Sequence, residues 1–133
     1  MMYRDGQPVP QTATCAGCGR PMPGSRLLVR RGASTAVVNA EDLTMLRAAQ
    51  KQLEVWTVYG LVGTLEESTL RIQERFPHLV RVSRSTLVDP QAIERIDVVE
   101  TSTSELAREV VVSGVGPVRV ARREWPHLNR MLS

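Results

Sequence analysis

Three clusters in this chain of 133 residues carry donors suited to a phosphate or the edge of a base. The first lies in Arg81-Val82-Ser83-Arg84-Ser85-Thr86-Leu87-Val88-Asp89-Pro90. An arginine guanidinium presents a fork of N–H groups that matches phosphate oxygens or the outer edge of guanine, and serine and threonine hydroxyls add single bonds. Arg81, Ser83, Arg84 and Ser85 are its candidate contacts. The second cluster is Arg122-Arg123, set just before a terminal helix, where backbone N–H groups also point outward. The third is Gln50-Lys51-Gln52, whose amides could bond adenine or phosphate beside an ammonium. Each cluster also has a plain alternative as a solvated turn with surface charges.

Cys15-Ala16-Gly17-Cys18 has the spacing of one knuckle of a zinc ribbon. Zinc takes four ligands, and a second cysteine pair is missing; His78 and His127 are the only histidines. Three readings of Cys15 and Cys18 stay open: a half site completed across a dimer, a redox pair without its usual βαβ setting, or an unmetallated turn. Nothing assembles a catalytic set. Ser83 and Ser85 have no recognisable base, and there is no glycine loop to cradle phosphate. The chain is therefore expected not to be an enzyme, and no cofactor is expected apart from zinc at the cysteine pair.

The elements that must hold these residues are mostly strands. Residues 1–25, rich in Pro, Gly, Gln and Thr, predict a flexible tail, and residues 26–133 a single domain. Leu27 to Arg31 and Ala36 to Val38 read as strands, and Asn39 to Asp42 as a polar turn. Leu43 to Leu46 and Leu53 to Gly60 form a hairpin whose tip is Ala49-Gln50-Lys51-Gln52. Thr64 with Glu67 fits a capping box, so a helix is expected from Thr64, with Leu65, Thr69, Ile72 and Phe76 on its inner face and Glu67 paired to Arg71. Pro77 ends it, leaving His78 in an exposed loop. Val80 and Val82 alternate with Arg81 and Ser83 as a strand, Asp89-Pro90 turns the chain, and Asp89 is expected to bond that turn's own N–H groups. Strands Ile96 to Glu100, Leu106 to Ser113 and Val118 to Val120 follow, the last two joined by Gly114-Val115-Gly116-Pro117. Trp125, Leu128 and Leu132 give the terminal helix an apolar face, and Pro126 fits only its first turn. Together these predict a mainly β domain of antiparallel strands with one or two helices.

The totals leave several functions open and close others. Aromatic residues are 4% of the chain, so the core must be aliphatic. The formal charge of +3 permits a nucleic-acid partner without demanding one. Of the seventeen Lys and Arg residues only Lys51 is a lysine. No apolar run approaches the ~18 residues of a membrane span, and no signal-peptide core opens the chain, so a cytoplasmic location is expected.

From about Leu27 to Leu132 the chain resembles the LytTR family of bacterial DNA-binding domains. The resemblance is carried by Phe76-Pro-His-Leu-Val-Arg-Val-Ser-Arg-Ser-Thr-Leu-Val-Asp-Pro-Gln-Ala-Ile93, against a family pattern with an Arg-aliphatic-His-Arg-Ser core, and by Val118-Arg-Val-Ala-Arg-Arg123 before a terminal helix. It implies an elongated antiparallel β-sheet fold whose loops, rather than a recognition helix, enter successive major grooves of double-stranded DNA. It implies contacts from Arg84 and from Arg123 with Arg122 beside it, and places the first contacting loop at Gln50 to Leu53. Ser83 stands where the family usually has His, Asp89 where it has Asn, and Ala121 where it has Ser, so the target sequence does not carry over. The implied partners are DNA in direct repeats, a second copy on the DNA, and a membrane-bound inhibitor protein. Many members carry a receiver domain ahead of this one; here a stand-alone regulator is expected. The alternative is a protein-interaction module dimerised through its N-terminal segment.

Overall fold

The chain alternates between strand and turn much as its residues dictate. The computed structural model describes residues 26–132. The expected tail, with Cys15 and Cys18, lies outside the described residues.

Strands β1 (Arg26–Arg31) and β2 (Ser34–Asn39) form a hairpin, and a single 3-10 turn, Ala40–Asp42, leads into β3 (Leu43–Ala49). Strands β4 (Gln52–Thr57) and β5 (Gly60–Leu65) complete a meander. Helix α1 (Thr69–Arg75) then precedes the short hairpin of β6 (Val80–Ser83) and β7 (Thr86–Val88). These seven strands form one antiparallel sheet in the order β2-β1-β5-β4-β3-β7-β6. A second sheet holds β8 (Ile93–Glu100), β9 (Leu106–Val112) and β10 (Gly116–Val120) in the order β10-β9-β8. Helix α2 (Trp125–Leu132) closes the described chain. The mainly β expectation with two helices holds.

The large sheet separates two cores. On one face Leu27, Val29, Leu46, Val55 and Leu87 pack with Ile72, Phe76 and Leu79 from α1 and the segment after it. On the other, Met45, Val80, Val82 and Val88 meet Val110, Val112 and Val120 of the small sheet and Leu128 of α2. Strands buried on both faces lose the polar alternation of a half-exposed strand. This explains Leu43-Thr44-Met45-Leu46, all four buried, and Thr86-Leu87-Val88, all three buried.

One backbone bond joins the sheets: Ala121 N–H donates to Val82 O at 2.7 Å, while Ser113 N–H to Ala92 O, at 2.9 Å, extends the β8–β9 ladder of the small sheet. Gly114, at φ +79°, sits where a Cβ would lie 2.1 Å from the Thr57 carbonyl oxygen. Only glycine fits that contact between the β9–β10 turn and the end of β4.

Two expectations fail. Thr64 does not open a helix: it lies in β5, opposite Arg30 and Glu54. Leu65 is buried as the last residue of that strand, paired with Leu53, and Ser68 caps the helix by accepting from Arg71 N–H at 3.1 Å. Glu67 thus precedes the helix and pairs with Arg75, at 2.8 Å, rather than Arg71. His78 is buried, 5% exposed, because its ring meets the edge of Phe76 and lies 4.0 Å from the buried Asp89 carboxylate.

Candidate nucleic-acid interface

The antiparallel pairing of β3 with β7 decides where the charged turns lie. Arg47 stands opposite Thr86 and Met45 opposite Val88, so the end of β3 and the start of β7 share one end of the sheet. The turn after β3 is Gln50-Lys51, and the turn before β7 is Arg84-Ser85. Ala48 N–H donates to Ser85 O at 2.8 Å and ties the two hairpins together. Gln50, Lys51, Gln52, Arg84 and Ser85 line one open cleft together with Ser68 and Thr69 at the start of α1 and Glu67 just before it, whose carboxylate is paired with Arg75. Two clusters separated by some thirty positions in sequence are thereby brought together by sheet register.

Each turn is built locally. Gln50 has φ 58°, the left-handed conformation that a two-residue hairpin turn requires. In the second turn Arg81 donates from its guanidinium to Arg84 O at 2.7 Å and to Gln73 Oε1 at 3.4 Å. Ser83 Oγ accepts from Ser85 N–H at 3.4 Å. Arg81 and Ser83 are thus occupied in shaping the turn, while the Arg84 side chain projects from it, exposed. Among the described residues no ion pair or side-chain hydrogen bond holds the Arg84 guanidinium or the Lys51 ammonium. Leu53, at the end of the expected contacting loop, is 2% exposed and belongs to the core, leaving Gln52 as the accessible residue there.

The base of the Arg84 hairpin is clamped. Asp89 Oδ1 accepts from Gln91 N–H at 2.9 Å, as expected of a carboxylate serving its own turn. Asp89 is 5% exposed, so its carboxylate is not itself presented on the surface.

Arg122 and Arg123 follow Ala121, which is bonded to Val82, and Val82 is two residues from Arg84. Chain geometry alone keeps the Cα atoms of Arg84 and Arg123 within about 20 Å. The two arginines differ. Arg122 donates to Glu105 Oε2 at 2.9 Å, across from the β8–β9 connection, whereas Arg123 is exposed and has no such partner among the described residues. Glu105 was invisible as a site residue in the sequence, because seventeen positions separate it from Arg122 and only the fold brings them together. Arg47 was missed too: it pairs with Glu54 at 2.9 Å and lies 5.7 Å from the Trp56 ring centroid, which stiffens the arm that carries Lys51.

Among the described residues, no group of three or more His, Cys, Asp or Glu gathers as a metal site would, and no helix is long and apolar enough to cross a membrane. The arrangement offers exposed cations and amides on tight turns, backed by a rigid sheet.

Comparison with known proteins points the same way. The family model of the LytTr DNA-binding domain matches residues 33–133. The solved LytTr DNA-binding domain of a Bacillus cereus protein aligns with TM-score 0.64 and 16% identity, covering 81% of this chain and 96% of that one. At that identity the likeness speaks to the fold. No curated protein matches the chain significantly.

Proposed function

The chain belongs to the LytTr DNA-binding domain family, and from that premise we propose that it is a sequence-specific transcriptional regulator that reads double-stranded DNA through its turns. The observation that carries the reading is the shared end of the large sheet, where Gln50-Lys51-Gln52 and Arg84-Ser85 line one cleft. Turns held by a sheet can enter a major groove as a helix does, since the groove is ~12 Å wide and admits a two-stranded β-ribbon.

In this reading Arg84 binds guanine or a phosphate, and Gln50 and Gln52 offer paired amide groups to adenine, with Lys51 on the backbone. Arg123 and Arg122 hold the adjoining phosphates from the strand-to-helix junction. Arg81, Ser83 and Ser85 support Arg84 by holding its turn, which assigns them positioning more than contact. The limit of about 20 Å between Arg84 and Arg123 lets both act within one turn of duplex, ~34 Å. Repeated sites, each taking one copy, extend the reading to the arrangement that the family resemblance implies.

Selection of bound duplexes from a random pool tests it. A shared motif should emerge, and the chain should bind that motif at least about a thousandfold more tightly than unrelated DNA. Equal affinity for every duplex, or no binding at low salt, where phosphate contacts are strongest, overturns the reading.

A further inference from the structure

The small sheet ends in an open strand. β9 covers one edge of β8, and among the described residues no strand pairs with the other. The backbone N–H and C=O groups along that edge are available to another chain. The side chains add a second feature. Ile96 lies opposite Val110 and Val98 opposite Arg108, so both face the side of the sheet that carries the second core. Beyond that core they emerge, 38% and 61% exposed. On the opposite face Arg95 lies 3.3 Å from Asp97.

We propose that β8 pairs antiparallel with β8 of a second copy of this chain, about a two-fold axis at Ile96, joining two three-stranded sheets into one. The choice of occupant rests on self-complementary charge. In a two-fold interface each residue meets the partner position that its own equivalent meets in return. Centred on Ile96, the pairing sets Arg95 opposite the partner's Asp97, and the same pair recurs across the axis. Ile96 meets the partner's Ile96 on the apolar face. Neighbouring registers that keep the same faces together fail. Centring on Arg95 sets that arginine against itself, centring on Asp97 opposes two carboxylates, and centring on Val98 leaves Asp97 opposite the partner's Val99 with no charge pair; the Ile96 register sets Val98 opposite the partner's Glu94, beside the irregularity between Ile93 and Arg95 where the pairing ends. Charges on an edge strand ordinarily keep other strands away; here their order favours one partner, the same strand reversed.

This pairing concerns the protein without DNA and stands apart from the proposed function, which it extends. Copies related by a two-fold axis match an inverted pair of half-sites, whereas a direct repeat takes copies side by side without this contact.

Sedimentation of the full chain without DNA tests it. The chain should show a dimer whose fraction rises with concentration. Arg95→Asp should weaken self-association about tenfold or more, because two favourable cross-strand pairs become repulsive. Arg95→Asp combined with Asp97→Arg should restore it. Ile96→Cys gives a second readout. Opposed residues of an antiparallel pair have Cα atoms ~4.5–5.5 Å apart, inside the range of a disulfide. Mild oxidation should therefore link two chains through position 96, identified by peptide mass. A chain monomeric up to millimolar concentration overturns the proposal, as does a dimer that Arg95→Asp leaves unchanged, or folded variants in which the charge exchange restores nothing. Loss of the dimer with duplex binding intact refutes the pairing alone. A charge-sensitive dimer that binds no duplex refutes the proposed function alone.

Discussion

Glu105→Gln should tighten DNA binding, and the size of the gain follows from the pair it breaks. The Glu105 carboxylate holds the Arg122 guanidinium at 2.9 Å, with side chains 62% and 83% exposed. A pair so open to water adds only about 0–1 kcal/mol to folding, so stability should scarcely change. In the complex the same carboxylate stands near the phosphate that Arg122 would bind. At a separation of roughly 7 Å in water, two unit charges repel by about 0.6 kcal/mol. Relief of that repulsion, together with release of Arg122 from a pair worth up to about 1 kcal/mol, predicts a gain of about 0.6–1.6 kcal/mol, or roughly threefold to fifteenfold in affinity. The gain should shrink as salt rises, since the screening length falls from ~10 Å at 0.1 M to ~3 Å at 1 M. Fluorescence anisotropy with a labelled duplex measures it, and repetition in an Arg122→Ala background isolates the pair. There the gain should fall to the repulsive part alone. Unchanged or weaker binding by Glu105→Gln at low salt, or the same gain without Arg122, refutes the reasoning.

Three further substitutions probe the scaffold. Gly114→Ala places a Cβ 2.1 Å from Thr57 O at a positive φ, and should cost upward of about 2 kcal/mol, read as a lower urea midpoint. Arg81→Ala frees the Arg84 turn from its 2.7 Å bond; it should cost about 1 kcal/mol of stability and weaken duplex binding severalfold, with Arg81→Lys a poor substitute for the lost fork. Asp89→Ala removes the acceptor for Gln91 N–H at 2.9 Å and should cost about 1–2 kcal/mol in thermal unfolding, whereas Asp89→Asn keeps an acceptor and should cost less.

What could be read in advance was local. Strand β3 and its hairpin partner announced themselves as apolar runs on either side of a polar tip, with alternation in the partner alone, and the structure moved their ends and gave Gly60 to β5. Asp89-Pro90 signalled its turn because aspartate and proline act on their own neighbours. The start of α1 was misplaced because Leu65 fits two patterns at once. It continues the alternation of β5, and it also lies at helical spacing from Ile72 and Phe76; pairing with Leu53 decides for the strand. His78 looked exposed because it follows a proline, yet the packing of Phe76 and Asp89 around it comes from elements on either side of the hairpin. The cleft between Lys51 and Arg84 depends on the pairing of β3 with β7, and the Arg122–Glu105 pair on the meeting of the β8–β9 connection with the α2 junction. Contacts of that range leave no periodic trace. The residue types of the candidate site were legible; their grouping, and the division between exposed Arg84 and turn-holding Arg81, needed the fold.

The central claim is that Arg84 and Arg123 grip the same duplex. Titration of the selected duplex with the wild-type chain, Arg84→Ala and Arg123→Ala tests it most directly, with melting temperatures recorded alongside. Both side chains are exposed, so neither substitution should move the melting temperature appreciably. Each should lose about 1–3 kcal/mol of binding, roughly fivefold to 150-fold. A base contact relaxes specificity at one position; a phosphate contact lowers the salt slope by about one. Folded variants that both bind the duplex as tightly as the wild type contradict the account.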